Sequence, residues 1–407
     1  MPEGWAWCRF GNFIDVRDGT HYSPKYVENG YPFVTSKNLV NGKIDFTDVK
    51  YISEKDHKEY IQRSFVEDGD ILFAMIGSIG NPVLVKKDRE FSIKNVALFK
   101  PYSKQLTNMK YLFYFLLWIQ ENLRSKAKGG MQPFIPLSFF RTEVLIPIPP
   151  SEEQFRIISN IEEILSKIDS LEKNKIDLEN IIKQTKSKIL DLAIHGKLVP
   201  QDPNDEPAEE LLKRIATSDN RPYKKIDEDE VLFDIPESWS WCTLGEIYTH
   251  TTGKALKKTN NKGTLRKYIT TSNLYWNTFD FTEVREMYFT DDELEKCTIK
   301  KGDLILCNGG DVGRAAIWNY NYDICYQNHV SRLRPKDKDI NNSFFLYLIM
   351  IYKQQGMLNG KGVGITSLSA SDLLSAIVPL PPYSEQKRIV EKIECLYGYL
   401  TTINNQL

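Results

Sequence analysis

The residues that could carry covalent chemistry in this 407-residue chain do not fall at the spacings such chemistry needs. Leu380-Pro381-Pro382-Tyr383 has the Pro-Pro-aromatic part of a loop that grips an exocyclic amine during methyl transfer, but the Asn or Asp before the prolines is missing. Gly356-Met357-Leu358-Asn359-Gly360-Lys361-Gly362 is one residue short of a phosphate-cradling loop and has no Ser or Thr after Lys361. His21, His57, His195, His250 and His329 are scattered without metal-ligand spacing. Glu162 and Glu163 belong to a charged helical stretch and read as solvated. The expectation is a chain that binds rather than catalyses, with no metal site and no cofactor of its own.

Binding groups should be polar, lie in loops and recur, because the chain repeats itself. Pro2-Glu3-Gly4-Trp5-Ala6-Trp7-Cys8 returns as Pro236-Glu237-Ser238-Trp239-Ser240-Trp241-Cys242, a shift of 234 positions. Gly69-Asp70-Ile71-Leu72 matches Gly302-Asp303-Leu304-Ile305, Asn95 matches Asn328, and Pro147-Ile148-Pro149-Pro150 matches Pro379-Leu380-Pro381-Pro382. A period this long marks a duplicated domain; solenoid repeats have units of roughly 20–50 residues. At matched loops, Ser36 and Lys37 correspond to Thr271 and Ser272, and Ser78 in Gly77-Ser78-Ile79-Gly80 corresponds to the Gly310–Gly313 loop before Arg314. Arg124, Lys126, Lys128 and Gln132 flank one Gly pair, while Lys361, Thr366 and Ser367 flank Gly362 and Gly364. Lys257 and Lys258 lie in a basic run, Gly253–Lys267, that contains no acid. Such residues suit nucleic-acid contact: Gly lets backbone approach a phosphate, and Arg, Lys and Gln read base edges. Residues that differ between the copies are the better candidates for specificity.

The elements that would hold these loops read as mixed α and β. Short apolar runs bounded by Gly, Asn and Pro predict strands at 33–35, 71–74, 82–85 and 96–99, and again at 268–270, 304–306 and 315–318. Helical stretches are predicted at 109–125, 208–215 and 342–355. From Ser151 a heptad begins: Ile157, Ile161, Ile164, Ile168, Leu171, Leu178, Ile182, Ile189 and Leu192 step by threes and fours, as a coiled-coil seam does. Pro149 and Pro150 precede it and Gly196 ends it. Ile389, Ile393, Leu396, Leu400 and Ile403 restart the same seam. The organisation expected is a first head at 1–150, a central helix at 151–195, a linker with a short helix at 196–235, a second head at 236–383 and a shorter distal helix at 384–407. If the seams pair antiparallel, the product is a dumbbell: two α/β heads related by a pseudo-twofold axis, separated by a helical rod. The short second helix would leave Ile157–Leu171 without a partner from this chain.

Bulk properties agree with a binder of modest charge. Net charge is −1, yet residues 1–150 carry 20 Lys+Arg against 16 Asp+Glu, and residues 236–383 carry 17 against 15. That permits nucleic-acid binding without demonstrating it. No apolar run reaches membrane-spanning length, the start lacks a secretory pattern, and the six Cys form no CxxC pair. Cys8 and Cys242 read as reduced core thiols, and the cytoplasm is the expected compartment.

Taken in order and doubled, these motifs make the chain resemble the specificity subunit of type I restriction–modification systems. The resemblance rests on Pro-Glu-x-Trp-x-Trp, Gly-Asp-Ile-Leu and the Gly77–Gly80 and Gly310–Gly313 loops. It also rests on Pro147–Ile157, Pro379–Ile389 and Ala193–Pro200 with Glu206–Leu212, so it spans essentially the whole chain. It implies that each head is a target-recognition domain reading one half of a split double-stranded DNA site and that the rod fixes the gap. It further implies that two methyltransferase subunits and a translocating restriction subunit assemble on the chain, and that they supply S-adenosylmethionine, ATP and Mg²⁺ chemistry. The alternatives are a two-headed structural adaptor with no DNA role and a self-contained methylating enzyme.

Overall fold

In the first half, Ile71–Ala74 is apolar at every position and buried at every position, as a strand covered on both faces must be. It is central in a four-stranded sheet, flanked by Gly80–Leu84 and Val96–Pro101, with Ile14–Asp18 beyond the latter. The computed structural model describes residues 1–104, 107–129, 133–256, 262–358 and 367–406 and divides into units Met1–Glu172 and Lys173–Leu407. Helix Met109–Ser125, capped by the Asn108 side chain, lays Leu112, Leu116 and Leu123 on this sheet. Phe10, Phe73, Phe99 and Phe140 interlock beneath it at centroid distances of 5.0–6.0 Å. A smaller sheet places Tyr31–Val34 antiparallel to Lys50–Ile52 and parallel to Ser92–Ile93.

The second half repeats the arrangement in its own unit. Leu304–Cys307 pairs with Ala315–Ile317 and Val330–Pro335, and Tyr248–Thr252 lies beyond. Thr264–Ile269 is antiparallel to Arg285–Phe289 and parallel to Ile324–Tyr326. Each Trp box is a strand paired with the segment before the Pro-Pro: Trp7 opposite Pro147, Trp241 opposite Pro379.

The Gly-Asp motif has a structural role in both copies. Asp70 accepts from the Glu67 backbone N–H at 2.7 Å and pairs with Lys100 at 2.5 Å. Burial pushes its carboxyl above the ordinary range, against the pull of the Lys100 ammonium. Asp303 accepts from the Lys300 N–H at 2.7 Å and takes both Arg334 nitrogens at 2.7 Å. Asp303→Ala leaves that guanidinium half-buried and unpaired, and should cost the second head about 2–3 kcal/mol, read as a lower urea midpoint.

One helix runs from Ser151 to Ile194, about 66 Å at 1.5 Å per residue. Its seam changes character along its length. Ile182 and Ile189 are buried, Leu178 and Leu192 are half-buried, and Ile157 and Ile161 are half-buried in the first unit. Ile164, Ile168 and Leu171 are 57%, 44% and 67% exposed. The second long helix, Tyr383–Asn405, packs antiparallel to the end of the first within the second unit. Tyr397 donates to the Lys186 carbonyl at 3.1 Å, while Glu385 lies near Gln201 just past the Gly196 end. Ile389 and Ile393 are buried, Leu396 and Leu400 half-buried, and Ile403 is exposed.

The short helix expected within residues 196–235 is present, and it packs into the second unit. Helix Ala208–Ser218 buries Leu211, Leu212 and Ile215 in the second unit's core, with Leu198, Val199 and Phe233 packed beside them. The cysteines at the Trp boxes depart from the expectation of two core thiols: Cys242 is buried, but Cys8 is only half-buried; both are free thiols.

The covered box contains a buried carboxylate. Glu385 accepts from Trp239 Nε1 at 2.9 Å and from Gln201 Nε2 at 2.5 Å. Burial raises its pKa above the ordinary carboxylate value, outweighing those bonds. A carboxyl raised in the folded state gives stability that is full below its unfolded pKa and is lost as pH rises through the folded one. Wild-type melting should therefore fall between about pH 5 and pH 8 more than that of Glu385→Gln, measured by calorimetry.

Candidate nucleic-acid interface

The first matched loop is a rigid frame that displays two variable side chains. Asn38 Oδ1 accepts from the Thr35 N–H at 2.9 Å and Oγ1 at 3.0 Å, while Nδ2 donates to the Asp45 carbonyl at 3.1 Å. In the second head Asn273 repeats this: Thr270 N–H at 2.9 Å, Thr270 Oγ1 at 3.0 Å, and the Asp280 and Glu283 carbonyls at 2.9 and 2.8 Å. Both Asn are buried. The residues between differ, Ser36-Lys37 in one head and Thr271-Ser272 in the other, and Lys37 and Ser272 are exposed. Ser272 Oγ is 2.7 Å from Thr270 Oγ1.

The second loop is also matched. Gly77 and Gly310 both sit at φ +73°, and Ile79 and Val312 turn back to them through N–H bonds of 2.9 and 3.0 Å. A non-glycine residue at that φ would be strained. A basic side chain from the following helix clips each loop: Arg124 Nε donates to the Ile79 carbonyl at 2.5 Å, and Lys353 Nζ to the Val312 carbonyl at 2.7 Å. Arg314 donates to the Thr271 carbonyl at 2.6 Å and lies 5.1 Å from the Tyr275 ring, joining the two loops of its head. Arg124 and Arg314 thus hold loops in place while remaining partly exposed.

In the first unit these loops converge on a cleft of about 630 Å³ containing Ser36, Lys37, Ser78, Lys50, Lys94 and Asn95. Lys50 stands 4.5 Å over the Tyr26 ring, and the Ser36 hydroxyl reaches the Asn95 carbonyl at 3.5 Å. Lys126 and Lys128 are exposed beyond the helix; Lys128 pairs with Phe134, which also bridges Ile76. Ser367 bridges Gly309 in the same way in the second unit. Gln132, Lys257, Lys258, Lys361 and Thr366 lie outside the described residues.

The sequence reading missed Lys50, Lys94 and Asn95 as part of this surface. Lys94 and Gln327 occupy one position: each donates its backbone N–H to the small sheet, to Val34 at 2.9 Å and to Ile269 at 3.0 Å. Each precedes the matched Asn and each is half-buried. The signal was available, since the pair differs between copies beside an invariant Asn.

Among the described residues no group of three or more His, Cys, Asp or Glu could hold a metal ion, and no helix is long and apolar enough to cross a membrane. Two heads built on one plan, each fixing a constant frame around different polar side chains, define a class of duplicated recognition module. The chain belongs to the type I restriction–modification DNA specificity family, whose domain model matches residues 2–181 and 236–407. It is 26% identical to the EcoAI specificity subunit of Escherichia coli over 97% of this chain and 77% of that protein. It is 24% identical to the MjaVIII specificity subunit of Methanocaldococcus jannaschii over 97% of this chain and 87% of that one. The crystal structure of the HsdS subunit from Thermoanaerobacter tengcongensis shares the fold, with a TM-score of 0.61 and 18% identity over 100% of this chain and 92% of that one.

Proposed function

We propose that this chain is the DNA sequence-specificity subunit of a type I restriction–modification complex. Each head reads one half of an asymmetric bipartite site, and the helix Ser151–Ile194 fixes the gap. One observation carries the reading: the Asn38 and Asn273 frames are the same, while the side chains they display differ. Two readers of different half-sites need that combination of constant scaffold and variable contact. The chain is non-catalytic alone. Two methyltransferase subunits and a restriction subunit bring S-adenosylmethionine, ATP and Mg²⁺, and the exposed seam at Ile164, Ile168 and Leu171 offers an apolar stripe for their docking. The complex acts in the cytoplasm, where its DNA is.

Within each head, Ser36, Lys37, Ser78 and Lys94 and their counterparts Thr271, Ser272 and Gln327 face the duplex, with Lys126, Lys128, Lys257, Lys258 and Lys361 serving phosphates. Lys pairs with guanine O6/N7 and Gln with adenine N6/N7. Lys94→Gln should therefore shift preference at one position of the first half-site by about 10–100-fold, leaving the second half-site and the gap unchanged. The reading is tested by methylating randomised duplexes with the purified chain plus its methyltransferase partner. A two-part motif with one fixed gap supports it. Methylation without a motif, or S-adenosylmethionine binding by this chain alone, overturns it.

A further inference from the structure

The first head holds one side chain of its cleft in a clamp that the second head lacks. Asp18, the last residue of strand Ile14–Asp18, is buried, and its carboxylate accepts from His21 Nε2 at 2.9 Å and from Arg63. His21 Nδ1 lies 2.7 Å from Asn95 Oδ1. Both neighbours of the imidazole are oxygens that only accept, so the ring donates at both nitrogens. The Asn95 amide is thereby fixed at its oxygen, and its Nδ2 has no partner among the described residues. Asn95 lies in the cleft with Ser36, Lys37 and Ser78.

The backbone around this Asn is the same in both heads. Asn95 donates its N–H to the Thr20 carbonyl at 3.3 Å and Asn328 to the Lys254 carbonyl at 3.1 Å. Matched parallel bridges join Thr20 to Lys94 and Lys254 to Gln327. In that alignment Thr252 and Ala255 stand where Asp18 and His21 do, and Ala255 has no group to hold the Asn328 amide. The second head keeps the same backbone without the clamp, so the fold does not require it. What the clamp fixes is which end of the Asn95 amide meets a ligand in the cleft.

We propose, resting on the reading of this head as a DNA reader, that Asn95 contacts a base edge and that His21, held by Asp18, positions it to offer a donor only. A lone amide N–H donor favours guanine or thymine, whose major-groove edges carry acceptors and no donor, and rejects cytosine, which presents its N4 donor. Adenine pairing uses both ends of an Asn amide, and the clamp occupies one of them. Without the clamp the amide turns either end to the duplex and discriminates less.

The test uses the full chain with its methyltransferase partner on randomised duplexes, with the two half-sites scored separately. His21→Ala should cut discrimination at one position of the first half-site about tenfold, leaving its other positions, the second half-site and the gap unchanged. Asn95→Asp keeps an oxygen for His21, and Asp tolerates the φ of +54° found there. It should turn that position from guanine or thymine to cytosine, whose N4 donates to a carboxylate. Uniform loss of methylation from His21→Ala, with base preference unmoved, would make the clamp structural and overturn the proposal. An unaltered base preference in Asn95→Asp would overturn it too, since the oxygen would then already be the reading end. Failure of the underlying reading shows differently and overturns both: the unsubstituted chain would direct no two-part motif at all.

Discussion

Removing one heptad from the long helix, Leu165–Leu171, is expected to reduce methylation at the parental site by about 100-fold or more while each half-site preference survives. Seven residues shorten the helix by about 10 Å, close to three base pairs at about 3.4 Å each. The rotations do not match. A heptad changes the facing of a helix by only about 20°, whereas three base pairs turn the groove by roughly 100° at about 10.5 base pairs per turn. No single new gap restores both distance and phase, so weak methylation at a shorter gap is the most that should be recovered. Sequencing of methylated products from duplexes with varied gaps measures this. An unchanged gap would mean that the helix is not the ruler.

The second large effect is expected at Asn273. Replacing it with Ala leaves the buried Thr270 N–H and the Asp280 and Glu283 carbonyls without their partner. Unmet buried polar groups cost about 1–3 kcal/mol each, and water entering the frame recovers part of that. The outcome is a second head destabilised by about 2–4 kcal/mol, with its half-site lost and the first half-site still read. Asn38→Ala should do the converse. Equal loss of both half-sites from either variant would mean that the frames are not head-specific. Urea unfolding followed by head-specific Trp fluorescence separates loss of folding from loss of reading.

The sequence made the duplication, several of the buried strands and both long helices legible, because each has strong local markers. Ile71–Ala74 is a continuous apolar run, Asn108 and Asn341 cap their helices, and the heptad of Ser151–Ile194 persists over many turns. The frame loops were located, but the division of labour inside them was not. Thr35 and Asn38 look as suited to binding as Ser36 and Lys37, and only the hydrogen bonds show that the outer pair is committed to scaffold. Arg124 and Arg314 illustrate the same limit, since a guanidinium clipping a carbonyl and one free to meet DNA have the same sequence signature. The short helix of segment 196–235 was legible but its burial was not, because Pro and charge density favour a linker locally, while packing of Leu211, Leu212 and Ile215 is a tertiary effect.

The central claim is that two different readers are held at one fixed spacing. Methylome sequencing of a host expressing this chain with its methyltransferase partner tests it most directly. The account predicts a single new motif of two unlike half-sites separated by a gap of constant length. A motif that is continuous, or two half-sites joined by gaps of varying length, would contradict it.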